Sequence, residues 1–156
     1  MKIEHIEPTI VSVPYSHRET SSRVQRDGVT AVVTKITTDN GLVGWGESCP
    51  GPNVESVYEA VKSTIPLFTG RNPWERDAIT ADFYGTAHWY HREMTGHFAF
   101  AGLDIALNDL CAKDAGQPLY NLFGGLQRSS VDHFCYLAYG SIDEVKAQAQ
   151  QGVDAG

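Results

Sequence analysis

The run from Ala99 to Gly125, AFAGLDIALNDLCAKDAGQPLYNLFGG, constrains the fold more than any other part of the chain. Apolar residues at Phe98, Ala101, Ile105, Ala106, Cys111 and Ala112, with Leu103, Leu107 and Leu110 in a second stripe, repeat at the 3.6-residue period and predict a largely buried helix. Gly116 is placed to end it. Pro118 fits the first turn of a short second helix, and Gly124 with Gly125 supplies a left-handed stop. Two helices therefore meet at a rigid corner.

A buried helix needs partners, and 156 residues with 42% hydrophobic content are enough for one core. The formal net charge of -7, with no cluster of Lys or Arg, lacks the electrostatic footprint that a phosphate backbone requires, so nucleic acid is not an expected partner. No apolar run approaches the roughly 18 residues of a membrane span. The start MKIEHIEP has no signal-peptide pattern, which makes the cytoplasm the expected compartment and a membrane no partner. Cys49, Cys111 and Cys135 are odd in number with no close pair, so reduced thiols are expected, two of them buried.

Lys2–Tyr15, Val29–Thr38 and Leu42–Glu47 alternate and are rich in β-branched residues, which predicts three strands. Asp39-Asn40-Gly41 joins the last two as an antiparallel hairpin with Gly41 at positive φ. The connection Ser16–Gly28 is polar, carries His17, Arg18, Glu19, Arg23 and Arg26, and is longer than a hairpin needs, so a mobile lid is expected. Cys49-Pro50-Gly51-Pro52-Asn53 is a second irregular loop, able to face the same side. Val54, Val57, Tyr58, Val61, Ile65 and Leu67 then trace a helix.

Asn72-Pro73-Trp74-Glu75 reads as a capping start for a helix reaching about Gly85, followed by an aromatic turn over Thr86–Thr95. Beyond the polar break Gln127-Arg128-Ser129-Ser130, Val131–Tyr139 predicts a strand. Ser141-Ile142-Asp143-Glu144 is a capping box for a helix over Val145–Gln151. A lone strand and helix cannot bury their faces by themselves.

Other constellations carry weaker chemistry. His88, His91, Glu93 and His97 invite a metal reading, but the spacing is not His-Glu-x-x-His, and Trp89, Tyr90 and Arg92 among them favour an aromatic connector. Asp104 and Asp109 lie five apart, off a shared helix face, so pairing with Arg or capping of a backbone end is expected rather than acid-base work. Glu47 is read as structural. Cys49 has no His near it in sequence to activate it and reads as loop lining. Gly41-x-x-Gly44-x-Gly46 lies within a hairpin, so no nucleotide site is expected.

Three segments together resemble a known family: Gly41–Glu47 (GLVGWGE), Phe83–Glu93 (FYGTAHWYHRE) and the Ala99–Gly125 run. They are similar to the amino-terminal capping domain of the enolase superfamily, in the mandelate racemase and muconate lactonizing branch. The aromatic segment leans toward mandelate racemase and its acid-sugar dehydratase relatives. One departure stands at Asn108, where relatives commonly carry Trp.

The resemblance implies an α+β cap over residues 1–125, a three-stranded antiparallel meander followed by a helical cluster. Residues 126–156 then correspond to the first βα unit of a (β/α)7β barrel that is otherwise missing. It also implies abstraction, with Mg2+, of the proton α to the carboxylate of a small substrate, giving racemisation, epimerisation or dehydration; a homo-oligomer is the expected assembly. Catalytic and metal groups of relatives lie on later barrel strands, and only about 30 residues follow the cap where a barrel needs ~250, so no catalytic or metal residue is assigned here. Loops of the cap close over the barrel mouth in relatives. That maps substrate contact onto His17, Arg18, Arg23, Arg26, Cys49 and Asn53. A guanidinium binds carboxylate bidentately, yet each arginine also reads as a solvated surface charge. The competing expectation is a free-standing non-catalytic α+β binding module, in which Val131–Gly156 packs onto residues 1–125 as a complete fold.

Overall fold

Asp39-Asn40-Gly41 makes the turn its composition predicts: Gly41 sits at φ +83° and its N–H donates to Thr38 O at 2.9 Å. The computed structural model describes residues 1–51, 53–86 and 90–156, the side chain of Tyr90 excepted. Strands β1 (Ile3–Thr20), β2 (Gln25–Thr38) and β3 (Val43–Ser48) form one sheet in the order β1-β2-β3. β2 and β3 pair antiparallel, with Thr34 opposite Gly46 and Ile36 opposite Gly44.

Helices follow: α1 (Val54–Phe68), α2 (Arg76–Thr86), a 3-10 turn over Tyr90–Arg92, α3 (Met94–Asp114), α4 (Leu119–Leu122) and α5 (Ile142–Asp154). The chain divides into two compact units, residues 1–11 with 30–126 and residues 12–29 with 127–156.

In the first unit, alternation on β2 sends Val32, Thr34, Ile36 and Thr38 inward, all at 1% exposure or less. α3 lies against β3, and the approach is set by glycine: a Cβ on Gly46 would come within 1.9 Å of Gly102 O. Leu103, Leu107 and Leu110 are fully buried, worth about 1.5–3 kcal/mol each in transfer from water. Ala101 and Ile105 are exposed, so the first of the two apolar stripes read from the sequence is only partly in the core. The α3 terminus is a Schellman motif, with Gly116 N–H on Lys113 O, Gln117 N–H on Ala112 O, and Gly116 at φ +60°.

Several expectations are corrected. The Ser16–Gly28 connection is no lid-like loop but the outer part of a β-hairpin, because β1 and β2 continue to Thr20 and Gln25 and turn between Ser21 and Val24, whose N–H and C=O pair at 2.8 Å. The helix expected from Asn72 starts at Arg76. Asn72 instead closes a turn, its Oδ1 accepting Trp74 N–H and its carbonyl accepting Glu75 N–H. Residues 131–139 are not a strand, since no described segment offers them a ladder; Phe134 and Tyr139 are 93% and 81% exposed. Cys111 alone of the three free thiols is buried, because Cys135 lies on that exposed segment. α5 starts from the expected Ser141/Glu144 capping box and runs through Gly152 to Asp154.

Candidate functional site

Within the second unit, alternation on β1 puts Tyr15, His17 and Glu19 on one face of the hairpin arm. These three, with Ser16, line a cleft of about 350 Å3 whose other lining residues are Tyr136, Ala138 and Gln148. Gln148, on α5, accepts the N–H of Ala138 at 2.7 Å and so fixes the backbone of that wall. His17 Nδ1 lies 3.2 Å from Ser16 Oγ, and Glu19 is 3.8 Å from Arg26 Nη1.

Also in this unit, Glu144 closes the α5 capping box. The Ser141 hydroxyl donates to its Oε2 at 2.7 Å, as does the Ser141 N–H, and these bonds hold the carboxyl below its ordinary range, with His17 adding a smaller pull the same way.

The residues expected to touch substrate separate into distinct roles. His17 lines the cleft. Arg18 is bound to Asp27 across the hairpin, with contacts of 2.5 and 3.1 Å, and Arg26 is paired with Glu19. Arg23 is exposed in the turn and has no partner among the described residues. In the first unit, Cys49 is an exposed free thiol, while the Oδ1 of Asn53 accepts Ser56 N–H at 2.9 Å and caps α1.

Sequence reasoning missed Tyr15, Tyr136 and Gln148. The period-2 pattern could have placed Tyr15 beside His17, but Gln148 is an unremarkable polar residue on a helix until Ala138 N–H meets it.

His88 lies outside the described residues. His91 stacks on Phe83 with centroids 4.4 Å apart and donates to Phe83 O at 3.0 Å; His97 Nδ1 meets Tyr84 Oη at 3.1 Å. Glu93 precedes α3 without a side-chain capping bond. Among the described residues no three His, Cys, Asp or Glu side chains converge as metal ligands.

Asp104 and Asp109 serve different neighbours. Burial pushes the Asp104 carboxyl up, with Arg76 opposing. Asp109 pairs with Lys113 rather than an arginine and also takes a strand N–H. Asn108 is buried and satisfied, accepting from Arg76 Nη1 and donating to Asp104 O at 2.8 Å, which is why a polar side chain is tolerated inside α3. Glu47 is exposed at the end of β3.

The sequence profile of the family described as mandelate racemase / muconate lactonizing enzyme, N-terminal domain, matches residues 5–124. The chain belongs to this family. Its meander followed by helices is the cap of the enolase superfamily. The D-gluconate dehydratase of Thermoproteus tenax is 30% identical over 149 residues, covering 96% of this chain and 29% of that protein.

Among solved structures, the L-Ala-D/L-Glu epimerase of Bacillus subtilis, in a substrate-liganded complex, matches with a TM-score of 0.83 at 28% identity, over 100% of this chain and 43% of that one. The dipeptide epimerase of Enterococcus faecalis V583, complexed with Mg and L-Leu-L-Tyr, matches with a TM-score of 0.70 at 25% identity, over 80% and 35%. The chain thus spans about a third of the curated relative. These relatives are enzymes, and none of them supports the free-standing non-catalytic module.

Proposed function

We propose that this chain is the substrate-capping part of an enzyme that removes the proton α to the carboxylate of a small substrate. The enolate-like intermediate is then reprotonated, as in a racemase or epimerase, or loses a β-leaving group, as in an acid-sugar dehydratase. The family match over residues 5–124 carries this reading, supported by a relative named as a dehydratase and neighbours named as epimerases.

In this reading the hairpin arm acts by binding and orienting. His17 meets the substrate in the cleft, and Arg23 is the cation left free to reach a carboxylate. Arg18 and Arg26 act through the arm, which their cross-strand pairs stiffen. Cys49 contributes from the second loop, and Asn53 acts through the helix it caps. We assign Mg2+ as the cofactor, with its ligands outside this stretch, and a homo-oligomer as the assembly.

The test is a product screen. The full-length protein, supplied with Mg2+, is incubated with acid sugars and with dipeptides, and products are followed by NMR. Dehydration or epimerisation of one class is expected; turnover of neither counts against the reading.

A further inference from the structure

We propose that Asn40 is a site of spontaneous covalent modification, at which the chain converts asparagine into a mixture of aspartate and isoaspartate through a cyclic imide. Asn40 and Gly41 are both exposed at the tip of the β2–β3 hairpin, and a Cβ on Gly41 would meet nothing within 4 Å among the described residues. The nucleophile is the Gly41 backbone nitrogen. Glycine carries no side chain to screen that nitrogen from the Asn40 side-chain carbonyl carbon. The Thr38 hydroxyl donates to Asn40 Oδ1 at 2.6 Å, which draws electrons from that carbon and meets the negative charge that forms on the oxygen during attack. The Gly41 N–H is held by Thr38 O at 2.9 Å, and opening this one bond at an exposed turn frees the nitrogen without unfolding the sheet.

The step needs no oxidant or reductant. The Gly41 nitrogen gives its proton to solvent base and bonds to Cγ of Asn40, the side-chain nitrogen leaves as ammonia, and a five-membered succinimide closes. Water then adds to one of the two imide carbonyls. Opening on one side leaves aspartate; opening on the other leaves isoaspartate, whose main chain runs through the former side chain and is one methylene longer.

Other positions lack this combination. Asn72 is followed by Pro73, which has no N–H to lose. Asn53 precedes the β-branched Val54 and holds the N–H of Ser56, Asn108 is buried in α3, and Asn121 precedes Leu122 with its side chain bonded to Gln117. Asp27 also precedes a glycine, but it faces Arg18 as a carboxylate, which is a poor electrophile. At Asn40 the product disturbs the turn. Asp39 ties it to the residue ahead of β1, with Asp39 N–H on Lys2 O at 2.9 Å and Lys2 N–H on Asp39 Oδ1 at 2.8 Å. A new carboxylate arrives beside Asp39 as a like charge, and the extra methylene of isoaspartate takes Gly41 N–H away from Thr38 O.

The experiment ages the full-length protein in mildly alkaline buffer and maps its peptides by mass spectrometry, with fragmentation that separates isoaspartate from aspartate. The parent peptide holding Asn40 is expected to be lost to two deamidated products, isoaspartate among them, and lost faster as pH rises because the nitrogen must shed its proton. Peptides holding Asn53, Asn72, Asn108 and Asn121 are expected to stay intact, as is the corresponding peptide of Asn40→Gln, whose side chain would have to close a six-membered ring. In the aged pool the Thr38 amide, bonded to Leu42 O at 3.0 Å, is expected to lose exchange protection, a loss that aged Asn40→Gln does not show. An Asn40 peptide that stays intact, that converts no faster than those of the other four asparagines, or that yields aspartate without isoaspartate overturns the inference. So does full protection of the Thr38 amide in a pool converted to isoaspartate.

Discussion

The carboxylate of Asp109 on α3 accepts the backbone N–H of Trp45 on β3 at 2.9 Å. Lys113, one turn further on, donates to the same oxygen at 2.6 Å and to Val43 O at 2.8 Å. β3 is an edge strand, and these two side chains occupy backbone groups that the sheet leaves unpaired. Asp109→Ala is expected to destabilise the cap by about 1.5–3 kcal/mol, the range for hydrogen bonds to a charged group. Lys113→Ala should cost less, and the double variant less than the sum. Urea midpoints and exchange protection of the Trp45 amide check this; an unaltered Trp45 amide in the Asp109 variant would contradict it.

Glycine at the helix-strand contact gives a second expectation. A Cβ at Gly46 meets the backbone of α3 rather than a flexible side chain, so Gly46→Ala must separate β3 from α3, at a cost of at least the roughly 1–3 kcal/mol of ordinary overpacking. Gly85→Ala is the control. Gly85 lies in α2, where an added methyl would meet nothing within 4 Å among the described residues, and a gain of about 0.5–1 kcal/mol is expected there. Urea midpoints of the two variants check the pair, and a Gly46→Ala chain as stable as the parent would contradict the close approach.

Asp104 makes a prediction about pH. Burial raises its pKa in the folded chain, so the folded state holds its proton at pH values where the unfolded chain has lost it. Stability contributed by this group therefore falls as pH rises from the ordinary carboxylate range through the raised folded value. Asp104→Asn should be more stable than the parent at neutral pH, with the advantage shrinking on acidification. Thermal melts from mildly acidic to neutral pH measure it, and a parent more stable than the variant at neutral pH would be the contrary result.

The hairpin arm should be cheap to alter in stability. Arg18 and Asp27 are both more than half exposed, so Arg18→Ala is expected to leave the urea midpoint almost unmoved, and at high salt still less altered. Replacing Arg18, Arg23 and Arg26 together should lower kcat/KM of the full-length enzyme. An unchanged kcat/KM would remove the three arginines from substrate recognition.

The parts of the fold legible in sequence are those where local chemistry and packing agree. Gly41 and Gly116 end their elements because a positive φ is required there, and Ser141 with Glu144 caps α5 with groups only three residues apart. The hairpin arm is not legible in the same way. Both its faces are largely exposed, so no apolar alternation marks it, and what holds it together is the backbone ladder with Arg18–Asp27 and Arg26–Glu19 across it. Residues 131–139 show the converse, alternating like a strand yet without a neighbour to pair with among the described residues. His17 is visible in the sequence as a site candidate, whereas the cleft around it joins residues more than a hundred positions apart, beyond the reach of periodicity or spacing.

The most direct test of the account is isotopic. The full-length protein is incubated with Mg2+ and candidate carboxylates in D2O, and the α-proton resonance is followed by NMR with and without a chelator. The account predicts loss of that resonance for at least one carboxylate, abolished by chelation. Retention of the α-proton in every carboxylate, with metal present and the protein folded, would contradict it.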